Sequence, residues 1–284
     1  MDIIYLNNKD KIMLNGHNSK GVQEKFKISI NNIEYWCKLD SRGYEGLAEA
    51  VASNILYFSN IESFVPYSLK QFQYNGKIYN GCISENFLPL GCNLVTVDKL
   101  YKTYYGKDTL SVCKRNILSD TIEAFVKDTA SLTGITEEEL GKYFTSLIEF
   151  DSFILNDDRH FNNIAFIEHS GSFIPSPFFD NGSGLLSDEI FYWGEDTLDY
   201  KTMIREVKAK PFSEDFTKQK EVFENLYGEC FVLPKNLDIN YFLPQNTQFY
   251  DSQILERISF VLQHQYNKYL GRNEIQYEES EFEL

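Results

Sequence analysis

The chain has 284 residues, 43% of them apolar and 15% aromatic, and a formal net charge of −15. That length carries one large domain or two modest lobes around a shared cleft, with ample material for a core. The acidic balance argues against direct binding to nucleic-acid phosphates or an anionic membrane, and no apolar run approaches the roughly 20 residues that span a bilayer.

The opening stretch, MDIIYLNNKDKIMLNG, has no cationic segment leading into an apolar one and does not read as a signal peptide. In NGHNSKGVQEKFKI, Gly16 and Gly21 flank a polar loop that runs into the alternating stretch EKFKISI. Asn31-Asn32 predicts a hairpin turn into a second alternating run, IEYWCKL. The period then changes. In GYEGLAEAVASNILYF, Leu47, Ala48, Val51, Ala52, Ile55 and Leu56 recur at helical spacing, with Glu45 and Glu49 four residues apart. SLKQFQY and KIYNGCIS, joined by Asn75-Gly76, form a second hairpin. An antiparallel sheet with one packed helix is therefore expected up to about residue 84.

After SENFLPLG the pattern turns helical, near 116–133 and 136–155, the second opened by a Thr136–Glu139 capping box. A polar knot at 156–163 follows, inside FILNDDRHFNNIAFI. Short strands are expected at 164–168 and 172–174, and helices near 214–228 and 251–270. The tail NEIQYEESEFEL reads as a solvated acidic end. Cys37, Cys82, Cys92, Cys113 and Cys230 are odd in number and lack CxxC spacing, so they read as free buried thiols of a reducing cytoplasm. The four histidines show no metal-ligand spacing.

The knot sets charged groups between segments that want burial, so it is either a surface turn or a site. Read alone, Asp158 and Asn163 would close a turn. Their order relative to other residues points to phosphoryl transfer, which needs a cover over the phosphates, a cation on them, oxygen ligands for magnesium and a group that orients the attacking hydroxyl. Asp158 suits the last role and Asn163 offers an amide oxygen to Mg2+. Asp180, in PFFDNGSGLL one predicted hairpin later, supplies a carboxylate beside Gly182 and Gly184. Lys38 ends a strand before the helix that carries Glu45 and Glu49. Either glutamate is its candidate partner, the other being solvated. Arg159 is expected to pair with a carboxylate, His160 to pack and hydrogen-bond the loop, and Asn162 to serve the turn.

These motifs together resemble the HipA-like serine/threonine kinases, over roughly residues 15 to 265. The catalytic loop Asp-Arg-His-x-x-Asn of that family is matched by residues 158 to 163, and its magnesium aspartate by Asp180. Its phosphate loop is matched in SKGVQEKF by Gly21, Gln23 and Lys25, and its ATP lysine by Lys38. SENFLP resembles the interlobe hinge, where Glu85 to Phe87 would meet adenine. The N-terminal subdomain of longer members is expected to be absent. Their regulatory serine falls at Asn18 here, with Ser19 one position later as the candidate autophosphorylation site.

The resemblance implies an α+β, two-lobed protein-kinase-like fold with a small antiparallel-sheet lobe at 1–88, a larger helical lobe at 89–272 and an acidic tail at 273–284. It implies an ATP- and Mg2+-dependent serine/threonine kinase of a toxin-antitoxin system. The substrate would be an aminoacyl-tRNA synthetase or another translation component, and the partner a small helix-turn-helix antitoxin that makes any DNA contact itself. Two rival readings share the motifs: a phosphoinositide-type lipid kinase, which the charge balance disfavours, and a pseudokinase that binds nucleotide without turning it over.

Overall fold

The computed structural model describes residues 3–12, 23–194 and 196–271. Its small lobe is a five-stranded sheet made of β1 (Ile4–Tyr5), β2 (Lys25–Ile30), β3 (Ile33–Leu39), β4 (Ser68–Tyr74) and β5 (Lys77–Glu85), in the spatial order β1-β4-β5-β3-β2. The two expected hairpins form because their turns take left-handed backbone readily. Asn31 and Asn32 have φ of 53° and 67°, and Asn75 and Gly76 have 49° and 75°, which matches the twist of the flanking strands. β1 pairs parallel with β4, Ile4 opposite Phe72. The sheet is therefore mixed, not purely antiparallel as expected; a two-residue strand is too short to show a period.

The helix α1 (Glu45–Tyr57) lies on this sheet. Its approach depends on two glycines. A Cβ on Gly46 would sit 2.6 Å from the Gly81 backbone, and one on Gly81 would sit 2.1 Å from the Lys38 carbonyl oxygen. No side chain fits there, so the start of α1 is held against the end of β3, where Lys38 stands. Leu6, Phe26, Cys37, Leu39, Phe72, Tyr74 and Ile83 form a separate apolar core within the sheet lobe. The other apolar residues of α1, from Leu47 to Leu56, belong to the main core.

The larger lobe contains β6 (Asn93–Thr96), α2 (Val97–Tyr105), α3 (Thr109–Cys113), α4 (Leu118–Thr133), α5 (Glu137–Ile154), β7 (Ala165–His169), β8 (Ser172–Pro175), α6 (Thr197–Glu206), α7 (Phe216–Tyr227) and α8 (Ser252–Tyr269). The strands form a small antiparallel sheet, β6-β7-β8. Thr136 caps α5 by accepting from the Glu139 N–H at 3.2 Å, the threonine half of the expected capping box. α5 is buried from Phe144 to its end, acids included. It closes at Leu155, whose φ of 56° turns the chain sharply into the polar knot. β6, α2, α3 and α6 were not anticipated; β6 and α3 are too short to show a period. No helix among the described residues is long and apolar enough to cross a membrane. All five cysteines are free, but only Cys37, Cys82 and Cys113 are buried; Cys92 and Cys230 are half-buried, against the expectation that all would be buried.

Candidate active site

The knot is organised by a buried arginine. Arg159 is fully enclosed, and all five of its N–H donors are engaged. Nε and Nη2 donate to the Asp151 carboxylate of α5 at 2.8 and 3.0 Å. Nη1 donates to the carbonyls of Asn163 at 2.9 Å and Phe179 at 2.8 Å, and Nη2 also to Asn181 Oδ1 at 2.6 Å. One guanidinium thus ties the end of α5, the loop 156–163 and the loop 179–181 together, a task that suits its planar fork. Burial raises the Asp151 carboxyl, against the opposing pull of Arg159 and Asn156. In the arginine, burial lowers basicity but the Asp151 charge outweighs it.

On this support Asp158, Asn163 and Asp180 line one cleft of about 680 Å3. The Asn163 Nδ2 donates to the Asp158 carbonyl at 3.1 Å, which leaves its Oδ1 for another partner. Asp180 sits at φ 59°, a region that Asp and Asn tolerate better than most residues. Asp158 is exposed at its tip, with Lys210 Nζ donating to Oδ1 at 2.8 Å. His160 lies half-exposed in the cleft, with Nε2 3.7 Å from the Asp158 carboxylate. Its Nδ1 has no hydrogen-bond partner among the described residues, while its backbone N–H donates to the Asp158 carbonyl and its carbonyl accepts from the Asn163 N–H, both at 2.8 Å. The expected side-chain hydrogen bond from His160 to the loop does not form among the described residues; the ring instead faces the Asp158 carboxylate. Asn162 lies in the turn and accepts from Thr96 Oγ1 at 3.2 Å, which ties the knot to the end of β6.

The sheet lobe contributes lysines. Lys25 and Lys38 stand directly opposite each other on β2 and β3, a juxtaposition of like charges that is unfavourable by itself. Asp180 sits between them: Lys38 Nζ is 2.6 Å from Oδ1, and Lys25 Nζ is 3.2 Å from both oxygens. Burial would raise the Asp180 carboxyl, but Lys25 and Lys38 hold it well below the usual carboxylate range. Burial would likewise lower the Lys38 ammonium, but Asp180 and Glu49 hold it well above its ordinary value.

Glu49, not Glu45, meets Lys38. Its other oxygen accepts from the Asn181 N–H at 2.9 Å, so the same carboxylate reaches the loop that carries Asp180. Glu45 is not solvated as expected. It is buried and folds back on the turn before its helix, accepting from Ser41 N–H at 3.2 Å, Arg42 N–H at 2.9 Å and Gly43 N–H at 3.2 Å. An acid in a first helical turn is well placed to satisfy such donors. Lys38 itself is 5% exposed; the strand end lies under α1 and not at the surface.

Of the residues matched to a phosphate loop, Gly21 and Ser19 lie outside the described residues, as does Gly16. Gln23 and Lys25 line the cleft, and Gln23 Nε2 is buried with no partner among the described residues. In the segment expected to form the hinge, Glu85 ends β5 and Phe87 packs on Phe179, ring centroids 5.8 Å apart. Asn86 bridges the segment to β3 by donating its N–H to the Glu34 carbonyl at 2.8 Å.

Several cleft residues had no part in the sequence reading. Asp157 accepts from the Tyr192 hydroxyl, and burial pushes its carboxyl up to about 6. Arg42 pairs with Asp188. Asp151 carried a signal, a carboxylate inside the apolar run of an amphipathic helix. Lys210 carried none.

The fold has solved counterparts. The chain superposes on the crystal structure of a Helicobacter pylori proinflammatory kinase, CtkA, over 99% of this chain and 100% of that one, with a TM-score of 0.65 and 18% identity. It also superposes on a chain of the Shewanella oneidensis MR-1 toxin-antitoxin complex of HipA, HipB and operator DNA, over 94% of this chain and 67% of that one, with a TM-score of 0.53 and 15% identity. No family model and no curated protein matches the sequence. The likeness shows the architecture: a two-lobed protein-kinase-like fold of the HipA type.

Proposed function

We propose that this chain, with its HipA-like kinase fold, is an ATP- and Mg2+-dependent phosphotransferase that acts on a serine or threonine hydroxyl of a protein. The observation that carries the reading is convergence: Asp158, Asn163 and Asp180 face one cleft whose wall holds Lys25 and, behind Asp180, the Lys38–Glu49 pair.

The donor set fits the metal. Glu45, Asp157, Asp158, Asp180 and Asp188 all line the cleft, and a bare triphosphate would be repelled by them. Among the described residues no group of three or more His, Cys, Asp or Glu side chains is arranged to hold a metal ion. A carboxylate and an amide oxygen, Asp180 and Asn163, suit a hard cation that takes its other ligands from phosphates and water. Bound there, magnesium would neutralise charge on the β- and γ-phosphates. Lys25, Lys38 and the Gln23 Nε2, which has no partner among the described residues, supply donors for phosphate oxygens. Asp158, exposed at the cleft, accepts the hydrogen bond of the attacking hydroxyl and orients it. The backbone of Glu85 to Phe87 would hold adenine, and Gly21 would lie in the cover over the phosphates. Ser19 in that cover is the candidate autophosphorylation site.

Toxin-antitoxin membership is part of the same proposal. The HipA chain it resembles is complexed with HipB and operator DNA, which supports a small helix-turn-helix antitoxin as the partner here. The chain's acidity leaves DNA contact to that partner. An aminoacyl-tRNA synthetase or another translation component in the cytoplasm is the substrate the resemblance favours. We divide the chain near residue 88, after the hinge, with the tail from 273.

The test is transfer from radiolabelled ATP to protein acceptors, with and without Mg2+, beside Asp158→Asn, followed by phosphoamino-acid analysis. Phosphoserine or phosphothreonine formed only by the unaltered protein with Mg2+ supports the reading. Nucleotide binding without transfer would make the chain a pseudokinase, and transfer to phosphoinositide vesicles alone would make it a lipid kinase.

A further inference from the structure

Lys210 reaches the polar knot from 52 residues further along the chain, and its Nζ donates to Asp158 Oδ1 at 2.8 Å. Its backbone is anchored. The buried Gln219 of α7 donates to the Lys210 carbonyl at 3.0 Å, and the neighbouring Ala209 N–H donates to the Glu214 carbonyl at 2.9 Å. Phe212 packs on Phe161, a residue of the knot, with ring centroids 5.4 Å apart. The backbone that carries the side chain is therefore fixed while the ammonium remains half-exposed in the cleft.

The other cations near the knot bond groups other than the Asp158 carboxylate. Arg159 has spent all five donors on Asp151, Asn163, Phe179 and Asn181. Lys25 and Lys38 sit on Asp180, and Arg42 sits on Asp188. The run DRHFNN itself contains no lysine. Among the described residues lining the cleft, Lys210 is the lysine that meets Asp158. An ammonium has three donors, so it can keep its bond to Asp158 and still offer two to an incoming oxygen.

We propose that Lys210 is a catalytic residue: its ammonium binds an oxygen of the transferring γ-phosphoryl group beside the hydroxyl that Asp158 holds. The inference rests on the phosphotransferase reading above. In the step, the hydroxyl oxygen forms a bond to the γ-phosphorus as the bond to the β–γ bridging oxygen breaks. The bridging oxygen keeps the electron pair and leaves in ADP. The hydroxyl proton passes to Asp158 and on to solvent, and Lys210 stays protonated. A fixed cation aimed at the oxygens of the transferring group stabilises the transition state more than bound ATP.

The experiment compares the unaltered protein with Lys210→Met, Lys210→Arg and, as a control, Lys208→Met, whose lysine pairs with Glu214 at the surface. Turnover of MgATP and of its γ-thio analogue is measured with myelin basic protein and with water as acceptors, beside thermal unfolding and binding of a non-hydrolysable ATP analogue. Lys210→Met is expected to lower kcat about 100-fold with little change in KM for ATP or in Tm. Lys210→Arg should recover part of the loss, and Lys208→Met should show none. Sulfur on the γ-phosphoryl group should slow the unaltered protein more than it slows Lys210→Met, because only the former loses the ammonium contact. Turnover of Lys210→Met within about threefold of the unaltered protein would overturn the inference while leaving the kinase reading intact. A large loss with an unchanged thio effect would also overturn it, since Lys210 would then act only by positioning Asp158. If the unaltered protein binds nucleotide but transfers to neither acceptor, the kinase reading fails and the role of Lys210 falls with it.

Discussion

Replacing Arg159 with methionine tests whether one guanidinium holds the site together. The side chain is fully buried and makes five hydrogen bonds, two of them to an equally buried carboxylate. Methionine fills much of the volume but leaves Asp151 charged in the core, with Asn156 Nδ2 at 2.9 Å as its remaining side-chain donor. It also strips donors from the Asn163 and Phe179 carbonyls and from Asn181. Removing one partner of a buried ion pair costs about 3–5 kcal/mol, a large part of the roughly 5–15 kcal/mol that holds a typical protein folded. With an m-value of about 3 kcal/mol/M for a chain of this size, the urea midpoint should fall by somewhat over 1 M. Arg159→Lys should lie between, because three donors cannot reach what five reach. The decisive arm is Arg159→Met with Asp151→Asn, which removes the stranded charge and should cost clearly less than the two single changes summed. Urea unfolding followed by circular dichroism and fluorescence reads the unaltered protein, the three single variants Arg159→Met, Arg159→Lys and Asp151→Asn, and the double variant. A loss under about 1 kcal/mol for Arg159→Met, or strict additivity in the double variant, would refute the reasoning.

Asp158→Asn and Asp180→Asn should both abolish transfer but divide in binding. The first is expected to lose at least about 100-fold in kcat with nucleotide affinity kept, the second to lose Mg2+-dependent affinity in calorimetry; asparagine accepts the φ of 59° at position 180, so backbone strain will not account for the result. Lys38→Met should weaken ATP use and, because Lys38 and Glu49 are buried, also cost about 3 kcal/mol in stability; adding Glu49→Leu should restore the melting temperature but not the activity. Burial pushes the Asp40 carboxyl up to about 7, against bonds from the Gly46 N–H at 2.6 Å and the Tyr250 hydroxyl at 2.8 Å. Its folded value lies above the unfolded one, so its contribution to stability is complete below about pH 4 and is lost as pH rises through about 7, by at most about 1.4 kcal/mol per unit. Asp40→Asn should flatten the stability profile between pH 4 and 7, as read by urea midpoints across that range, and an unchanged slope would count against Asp40 as its source.

What the sequence determined by itself was local. The hairpins at Asn31-Asn32 and Asn75-Gly76, the periodic helix over 45–57, the Thr136 cap and the segment order around the polar knot depend on residues a few positions apart. Their turn chemistry and periodicity are therefore visible in the string. The kinase-like fold followed from that order together with the motifs at 158–163 and 180. Tertiary structure decided the partners. Glu45 and Glu49 are equivalent by spacing, yet one meets Lys38 and the other folds back on Ser41, Arg42 and Gly43, because the Gly46–Gly81 contact sets how α1 sits on the sheet. A lysine at a strand end looks solvated until the helix that covers it is in place. The parallel pairing of Ile4 and Tyr5 with β4, the choice of Asp151 for Arg159 and the arrival of Lys210 at Asp158 join residues with no shared local pattern. Burial is the physical reason. A charge enclosed by the fold must find an opposite charge or a hydrogen-bond partner, and which one is near depends on how elements distant in the chain pack against each other.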